Sequence, residues 1–234
     1  MSDNEAKITV TKNGPYIVAG SVPLDKEIIE AGPDGIPLRW GMGEKYPLRK
    51  ACRLCRCGAS KTKPYCDNTH LSINFDGTET AGYKNFSEMN DPTIGPDLIM
   101  NDAEKFCAVA LFCHRAGDAW NLTEKSSDPE ARKTAIQEAF DCPSGRLVAA
   151  DKKTGQPMEP EFEPSISVVE DRAHMVSGPL WVKGGVPIIS AEGKPYETRN
   201  RVTLCRCSAS KNKPFCDGSH CNTKFNDGDE RIKK

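Results

Sequence analysis

Aromatic residues make up only 7% of this 234-residue chain, and its longest apolar run is the eight-residue stretch Phe106–Cys113, which includes Cys107–Cys113. The first deficit, together with 19 glycines and 17 prolines, implies small, turn-rich cores. The second leaves no stretch near the roughly 20 apolar residues of a membrane-spanning helix. Charge of one sign is also missing: 32 Lys and Arg stand against 33 Asp and Glu, for a net charge of −1. Nothing in that balance points to nucleic acid or to an anionic membrane as partner. The opening residues MSDNEAK are polar and acidic where a signal peptide is basic and then apolar. A soluble, cytoplasmic protein is the expectation. No nucleophile with an adjacent base, no glycine-rich phosphate loop and no paired carboxylates stand out, so catalytic machinery is not expected.

What the chain does have is cysteine, eleven in all. Disulfides fit poorly with an odd count and no export signal. The cysteines are clustered, with Cys52, Cys55, Cys57 and Cys66 in one group and Cys205, Cys207, Cys216 and Cys221 in another. Cys107, Cys113 and Cys142 lie between them. Clusters of fixed spacing read as metal sites.

The two groups belong to a repeat. Residues 55–70 read CRCGASKTKPYCDNTH and residues 205–220 read CRCSASKNKPFCDGSH, identical at eleven of sixteen positions. Phe75 and Phe225 follow each histidine by five residues. Upstream, Ile8, Val10, Val18 and Gly20 match Ile166, Val168, Val176 and Gly178 at identical spacing, after which the second copy is eight residues shorter. The sequence therefore divides into a module over 1–80, an insert over 81–164 and a second module over 165–234. The modules read as strands. Lys12-Asn13-Gly14 and Lys183-Gly184-Gly185 both signal hairpins, and Thr198–Leu204 alternates, with Arg199 and Arg201 on one face, up to Cys205. The insert reads as helical. Asn101-Asp102 caps one helix from Ala103 to about Cys113, and Asp128-Pro129 starts another that runs to about Phe140.

Within the repeat, C-x-C-x8-C-x3-H, two cysteines two apart on an extended segment face the same side. Cys55/Cys57 and Cys205/Cys207 can thus each grip one metal. A cysteine and a histidine four apart share a face of a helical turn, so Cys66/His70 and Cys216/His220 can grip a second. Asp67 and Asp217 fall where an N-cap starts that turn, and Pro64 and Pro214 stiffen its approach. Gly218 is expected at positive φ, with Asn68 the next most tolerant residue in its place. Spacing alone leaves zinc and iron–sulfur open.

The longer pattern C-x-C-x2-S-x3-P-x-C-D-G-S-H resembles that of the CDGSH iron–sulfur proteins, the mitoNEET-like family. Residues 205–220 match it fully and residues 55–70 depart at Asn68 and Thr69. The resemblance implies one [2Fe–2S] cluster per module. Cys55 and Cys57 would hold the inner iron and Cys66 and His70 the outer, and Cys205, Cys207, Cys216 and His220 would repeat those roles. It further implies an α+β protein in which two small β-rich cluster modules form an intrachain pseudo-dimer, so that a monomer suffices, with a helical insert between them.

Arg53, Arg56, Lys61 and Lys63, with Arg206, Lys211 and Lys213, crowd the two motifs. They read either as guides for a redox or acceptor partner or as an ordinary solvated face. Cys52 aligns with Val202 and Cys221 with Leu71, so both read as packed thiols rather than ligands. The stretch Cys113-His-Arg-Ala-Gly-Asp-Ala119, with Cys142-Pro-Ser-Gly145, looks like a divergent ferredoxin segment. Ala119 stands where one more cysteine is wanted, leaving Cys107, Cys113, Cys142 and His114. A cluster-free, packed remnant is expected there rather than a third cluster.

The expected function is electron transfer, or cluster donation to an apo-protein, with a structural role for stapling metals as the alternative. A histidine in place of a cysteine makes the cluster one charge less negative and easier to reduce, and its free nitrogen can take up a proton with the electron. Acid pH would then loosen His70 and His220 and release the cluster. Replacing both by cysteine is predicted to lower the reduction potential and flatten its pH dependence in protein-film voltammetry. An unchanged potential contradicts this reading.

Overall fold

The computed structural model describes residues 5–172 and 174–233; residues 1–4, the start of the N-terminal segment read above, lie outside the described residues. The first module supplies β1 (Lys7–Val10), β2 (Tyr16–Ala19), β3 (Leu24–Ala31), β4 (Pro37–Lys45), β5 (Ala51–Leu54) and the single turn α1 (Thr69–Ser72). The insert adds α2 (Phe86–Met89), β6 (Thr93–Ile94), β7 (Leu98–Asp102), α3 (Ala119–Glu124), α4 (Pro129–Asp141), β8 (Leu147–Asp151) and β9 (Pro157–Met158). The second module contributes β10 (Ser165–Asp171), β11 (Val176–Lys183), β12 (Ile188–Ile189), β13 (Arg201–Leu204) and α5 (Ser219–Asn222).

The first hairpin forms as its Asn-Gly signal requires, with Val10 opposite Tyr16 and Asn13 at φ 49°. The second does not. After Gly184-Gly185 the chain leaves its own sheet, and Ile188 and Ile189 pair in parallel with Ile8 and Thr9 of β1. The reciprocal exchange joins β3 in parallel to β10, Leu24 opposite Ile166 through Ile29 opposite Asp171. The two sheets therefore run β12-β1-β2-β5 and β13-β11-β10-β3-β4, each completed by a strand from the other module. Ile8, Val18, Leu54, Ile166, Val182 and Leu204 from both sheets are buried in one core. A local turn signal lost here to a pairing in which β12 buries both its backbone and Ile188.

Registers also correct the alignment of the repeat. Ile8 faces Val18, whereas Ile166 faces Val182, and Val10 faces Tyr16 where Val168 faces Leu180. Val182 thus takes the place of Val18. The β10–β11 hairpin of the second module reaches further, past a bulge, to Asp171 opposite Val176. Cys52 and Val202 do correspond, facing Val18 and Val182.

The insert is not purely helical. Its four-stranded antiparallel sheet, β6-β7-β8-β9, packs Leu98, Met100 and Leu147 against Ala119, Ala135 and Ala139 of α3 and α4. Helix α4 starts as its sequence dictates, with Asp128 accepting from the Glu130 amide at 3.1 Å and proline in the first turn. The helix expected over Ala103–Cys113 does not form. Asn101 and Asp102 end β7, and short 3₁₀ turns at Glu104–Phe106 and Phe112–His114 bracket an irregular loop. Asp102 is claimed instead by a two-pronged pair with Arg146, at 2.6 and 2.7 Å, and by the Trp120 indole. Tertiary anchoring overrides the helix propensity of this run with its three alanines.

The strand before Cys205 is shorter than expected and buried throughout. Arg201 is not on a solvent face. Its guanidinium donates to the Phe140 and Leu147 carbonyls at 2.9 and 3.0 Å, tying the insert to the second module. Among the described residues, no helix is long and apolar enough to cross a membrane.

Arg56 and Arg206 are buried too, at 2% and 3% exposure. Cysteines at 55/57 and 205/207 share one side of their strand ends, which sends the intervening arginine inward. Arg206 pairs with Glu170 at 2.8 Å and Asp227 at 2.5 Å, and lies over the Phe225 ring. Arg56 donates to the Thr11 carbonyl and lies over Phe75. Removing one partner of a fully buried charge network leaves the others uncompensated. Arg206→Met is predicted to lower the unfolding free energy by about 3–5 kcal/mol, and the exposed Arg53→Met by less than about 1 kcal/mol. Denaturant midpoints check the contrast, and equal effects contradict it.

Candidate metal centres

Each repeated motif is a loop tied by its own side chains. Ser60 donates to the Tyr65 carbonyl at 2.7 Å and accepts from the Thr62 amide, and Ser210 does the same with Phe215 and Asn212. Lys63 and Lys213 each reach back to the carbonyl of that serine. Asp67 and Asp217 each bridge the loop by accepting from the amide at Lys61 or Lys211, 2.8 Å away, and from the amide two residues on. These bonds hold the Asp67 carboxyl well below its usual range. The true helix cap is the next residue, Asn68 at φ 71° or Gly218 at φ 82°, both left-handed as their residue types allow. Pro64 and Pro214 follow cis peptide bonds.

These ties bring the candidate ligands together in pairs. Cys55 Sγ lies 3.8 Å from Cys57 Sγ, and Cys66 Sγ lies 3.4 Å from His70 Nδ1. In the second module the corresponding distances are 3.7 and 3.5 Å. Bonds of about 2.3 Å to sulfur and 2.0–2.1 Å to nitrogen, opened to a tetrahedral angle, put sulfur pairs about 3.8 Å apart and sulfur–nitrogen pairs about 3.5 Å apart. Each pair is thus spaced to share one metal. Among the described residues, no three His, Cys, Asp or Glu side chains converge on a single ion position.

Without a cation Cys55, Cys207, Cys216 and His220 resist charge. Burial pushes the Cys55 thiol up to about 11 and Cys216 well above its ordinary value. Cys207 donating to Cys205 draws the latter down to about 7 and holds Cys207 up. Burial also pulls the His220 imidazole down to about 4, so it is neutral at physiological pH with a lone pair to offer. A buried cation reverses the penalty on the thiolates and can use that lone pair. The donor set fits an iron–sulfur core.

Two family matches bear on these sites. The family described as iron-binding zinc finger, CDGSH type, matches residues 13–71 and 177–221, spans that contain all eight paired candidate ligands. The chain carries two CDGSH domains. A second family, described as divergent 4Fe-4S mono-cluster, matches residues 94–152 in the insert. These matches relate both CDGSH domains and the insert to iron–sulfur binding. No curated protein and no solved structure matches the chain.

The CDGSH loops meet back to back. Gly58, at φ 74°, lies so close to its neighbour that a Cβ there would sit 3.2 Å from the carbonyl of Cys207. Tyr16 of the first domain crosses to the second, where its hydroxyl donates to the Cys205 and Pro214 carbonyls at 2.7 and 3.0 Å. Sequence reading missed Tyr16, Ser60 and Ser210. The serines were visible in the repeat, but the tyrosine has leucine as its counterpart and gave no signal.

Cys52 is half-buried against the main core, and burial raises Cys221 to about 11; neither stands in a ligand pair. Cys107, Cys113 and Cys142, by contrast, line one small cavity of about 50 Å³ together with His114 and Ser144. The missing fourth cysteine is explained by packing, since Ala119 is fully buried in the insert core. Val109 and Leu111 hold left-handed backbone, at φ 56° and 58°, in the loop between the first two cysteines. For residues with bulky side chains this is strained by about 1–3 kcal/mol each. Among the described residues, no protein acceptor takes the amides of residues 108–113. A run of free amides in such a loop is the form of an anion or iron–sulfur nest.

Tyr16→Phe leaves the Cys205 carbonyl without its hydroxyl donor and leaves the Pro214 carbonyl only the Cys205 amide. It is predicted to weaken the second CDGSH loop by about 1–3 kcal/mol and to leave the first unchanged. Amide exchange at Cys205, bonded to Pro214, should quicken while that at Cys55, bonded to Pro64, does not. Equal rates at both sites contradict the assignment.

Proposed function

We propose that the protein is a non-enzymatic iron–sulfur protein holding one [2Fe–2S] cluster in each CDGSH domain. The observation that carries this is the division of each ligand set into a thiol–thiol pair and a thiol–imidazole pair, each spaced for one metal. A lone zinc ion needs four donors around one point, whereas a di-iron core asks for two pairs. Cys55/Cys57 and Cys205/Cys207 hold the inner iron, and Cys66/His70 and Cys216/His220 the outer. Such a core supplies one reversibly held electron at each domain.

The chain's part is to place and shield the core. The exchanged strands form an internal pseudo-dimer that fixes the two loops against each other. Arg56 and Arg206 sit beneath the inner pairs as buried positive charge, so the solvated-face reading does not apply to them. Arg53 and Lys61 stay exposed and suit an anionic partner surface. Electron relay and cluster donation both use this arrangement, and exposure of the Cys66 side favours contact with a second protein.

A second reading concerns the insert. The family match over residues 94–152, the three thiols on one cavity and the strained loop with free amides favour a third cluster on Cys107, Cys113 and Cys142, in place of the cluster-free remnant expected from sequence. As the thiols stand the cavity is small, so loading it requires the 107–113 loop to move outward.

Iron and acid-labile sulfide counts on protein purified without oxygen test both readings. Two [2Fe–2S] clusters give about four of each per chain, and a cuboidal third adds up to about four more. The triple replacement of Cys107, Cys113 and Cys142 by serine should remove that excess alone. A colourless, zinc-loaded protein overturns the proposal.

A further inference from the structure

The two CDGSH domains share a ligand geometry but not an environment. In the first, Cys66 is half-buried and Asn68 is exposed, with its side chain free to accept from Arg53 at 3.1 Å. In the second, Cys216 and His220 are each only 2% exposed, and Gly218 is buried. The difference comes from segments outside the sixteen-residue motif.

Three of them cover the second site. Val109 of the insert loop packs on Gly218 so tightly that any Cβ there would collide with its Cγ2, and the Cys107 carbonyl lies 3.5 Å from the same point. Asn212 donates to the Lys105 carbonyl at 3.0 Å, and the Phe106 ring meets Phe215 edge-on at 5.3 Å. From another side, residues 80 and 81 strap the loop: both amides donate to the Lys213 carbonyl, and the Thr80 hydroxyl donates to the Lys211 carbonyl at 2.7 Å. The lengthened β10–β11 hairpin adds a third wall, with the Ser177 amide on the Phe225 carbonyl at 2.8 Å. Among the described residues, the hydrogen bonds of loop 58–69 stay within the first domain.

We infer that the insert loop is a lid over Cys216 and His220, and that the face around Cys66 and Asn68, above the buried His70, is the port through which metal is exchanged. This rests on the reading of both sites as metal centres and adds a division of labour between them. It also explains one of the five differences between the two motifs. Asn68 and Gly218 both need left-handed backbone, but only glycine leaves room for Val109. Val109 in turn accepts a strained conformation in order to lie there.

The test is chelation of the purified full-length protein with dithionite and bathophenanthroline disulfonate, sampled by brief iodoacetamide pulses and peptide mass spectrometry. Cys55, Cys57 and Cys66 should become alkylated first. Cys205, Cys207 and Cys216 should follow about tenfold or more slowly, the ratio that a lid closed by about 1.4 kcal/mol imposes. Val109→Gly relieves the backbone and uncovers Gly218, and should bring the second set to within about threefold of the first. Gly218→Asn, the residue the first domain itself carries, should do the same by pushing the loop away, and Asn68→Gly should leave the first set unchanged. Simultaneous alkylation of both sets in the wild type, or a second set indifferent to both lid variants, overturns the inference. Iron measured in the same samples keeps the two claims apart. Protein lacking iron sinks the cluster reading, while the order of alkylation still judges the lid.

Discussion

The reciprocal strand exchange is the constraint on which the rest of the molecule depends. Neither module completes its sheet alone: β1 needs Ile188 and Ile189 from the far half, and β10 needs Leu24 to Ile29 from the near half. The shared core beneath the sheets fixes β5 and β13, and each of these strands runs straight into its cysteine pair. Gly58 meets Cys207 and Tyr16 reaches Cys205 because the exchange holds the two loops in one frame. The positions of the eight candidate ligand atoms are thus a consequence of pairing between segments some 140 to 180 residues apart in sequence.

The pairing of the candidate ligands was legible from sequence because its geometry is local. Strand alternation puts Cys55 beside Cys57, and one helical turn puts Cys66 beside His70, whatever the remainder of the chain does. The same alternation also implied that Arg56 and Arg206 point inward, a consequence that their charge obscured. Elements that depend on distant partners were not legible. Lys183-Gly184-Gly185 is a sound hairpin signal, yet Ile188 finds a better edge on β1. Ala103 to Cys113 has the composition of a helix, but Arg146 and Trp120 hold Asp102 in a strand, and the following loop turns its thiols toward Cys142. Identical spacing suggested that Val18 corresponds to Val176. Only the register identifies Val182.

After doubling, the two copies diverged mainly in what surrounds them. A longer hairpin, a strap at residues 80 and 81 and the insert loop all bear on the second copy. The first keeps a shorter turn, an extra edge strand in β4 and an open motif face. The substitutions follow the surroundings. Asparagine stands where solvent is near and glycine where Val109 presses, and Tyr16 braces the covered loop while its counterpart Leu180 only packs. On this reading one site communicates with the outside and the other is held within the fold.

The central claim is that each site joins imidazole nitrogen and thiolate sulfur to a di-iron core. Electron–nuclear double resonance on the reduced protein tests it most directly. Strong nitrogen coupling should persist when either His70 or His220 alone is replaced by cysteine and should vanish when both are. An iron signal without nitrogen coupling, or a coupling that survives the double replacement, would contradict the account.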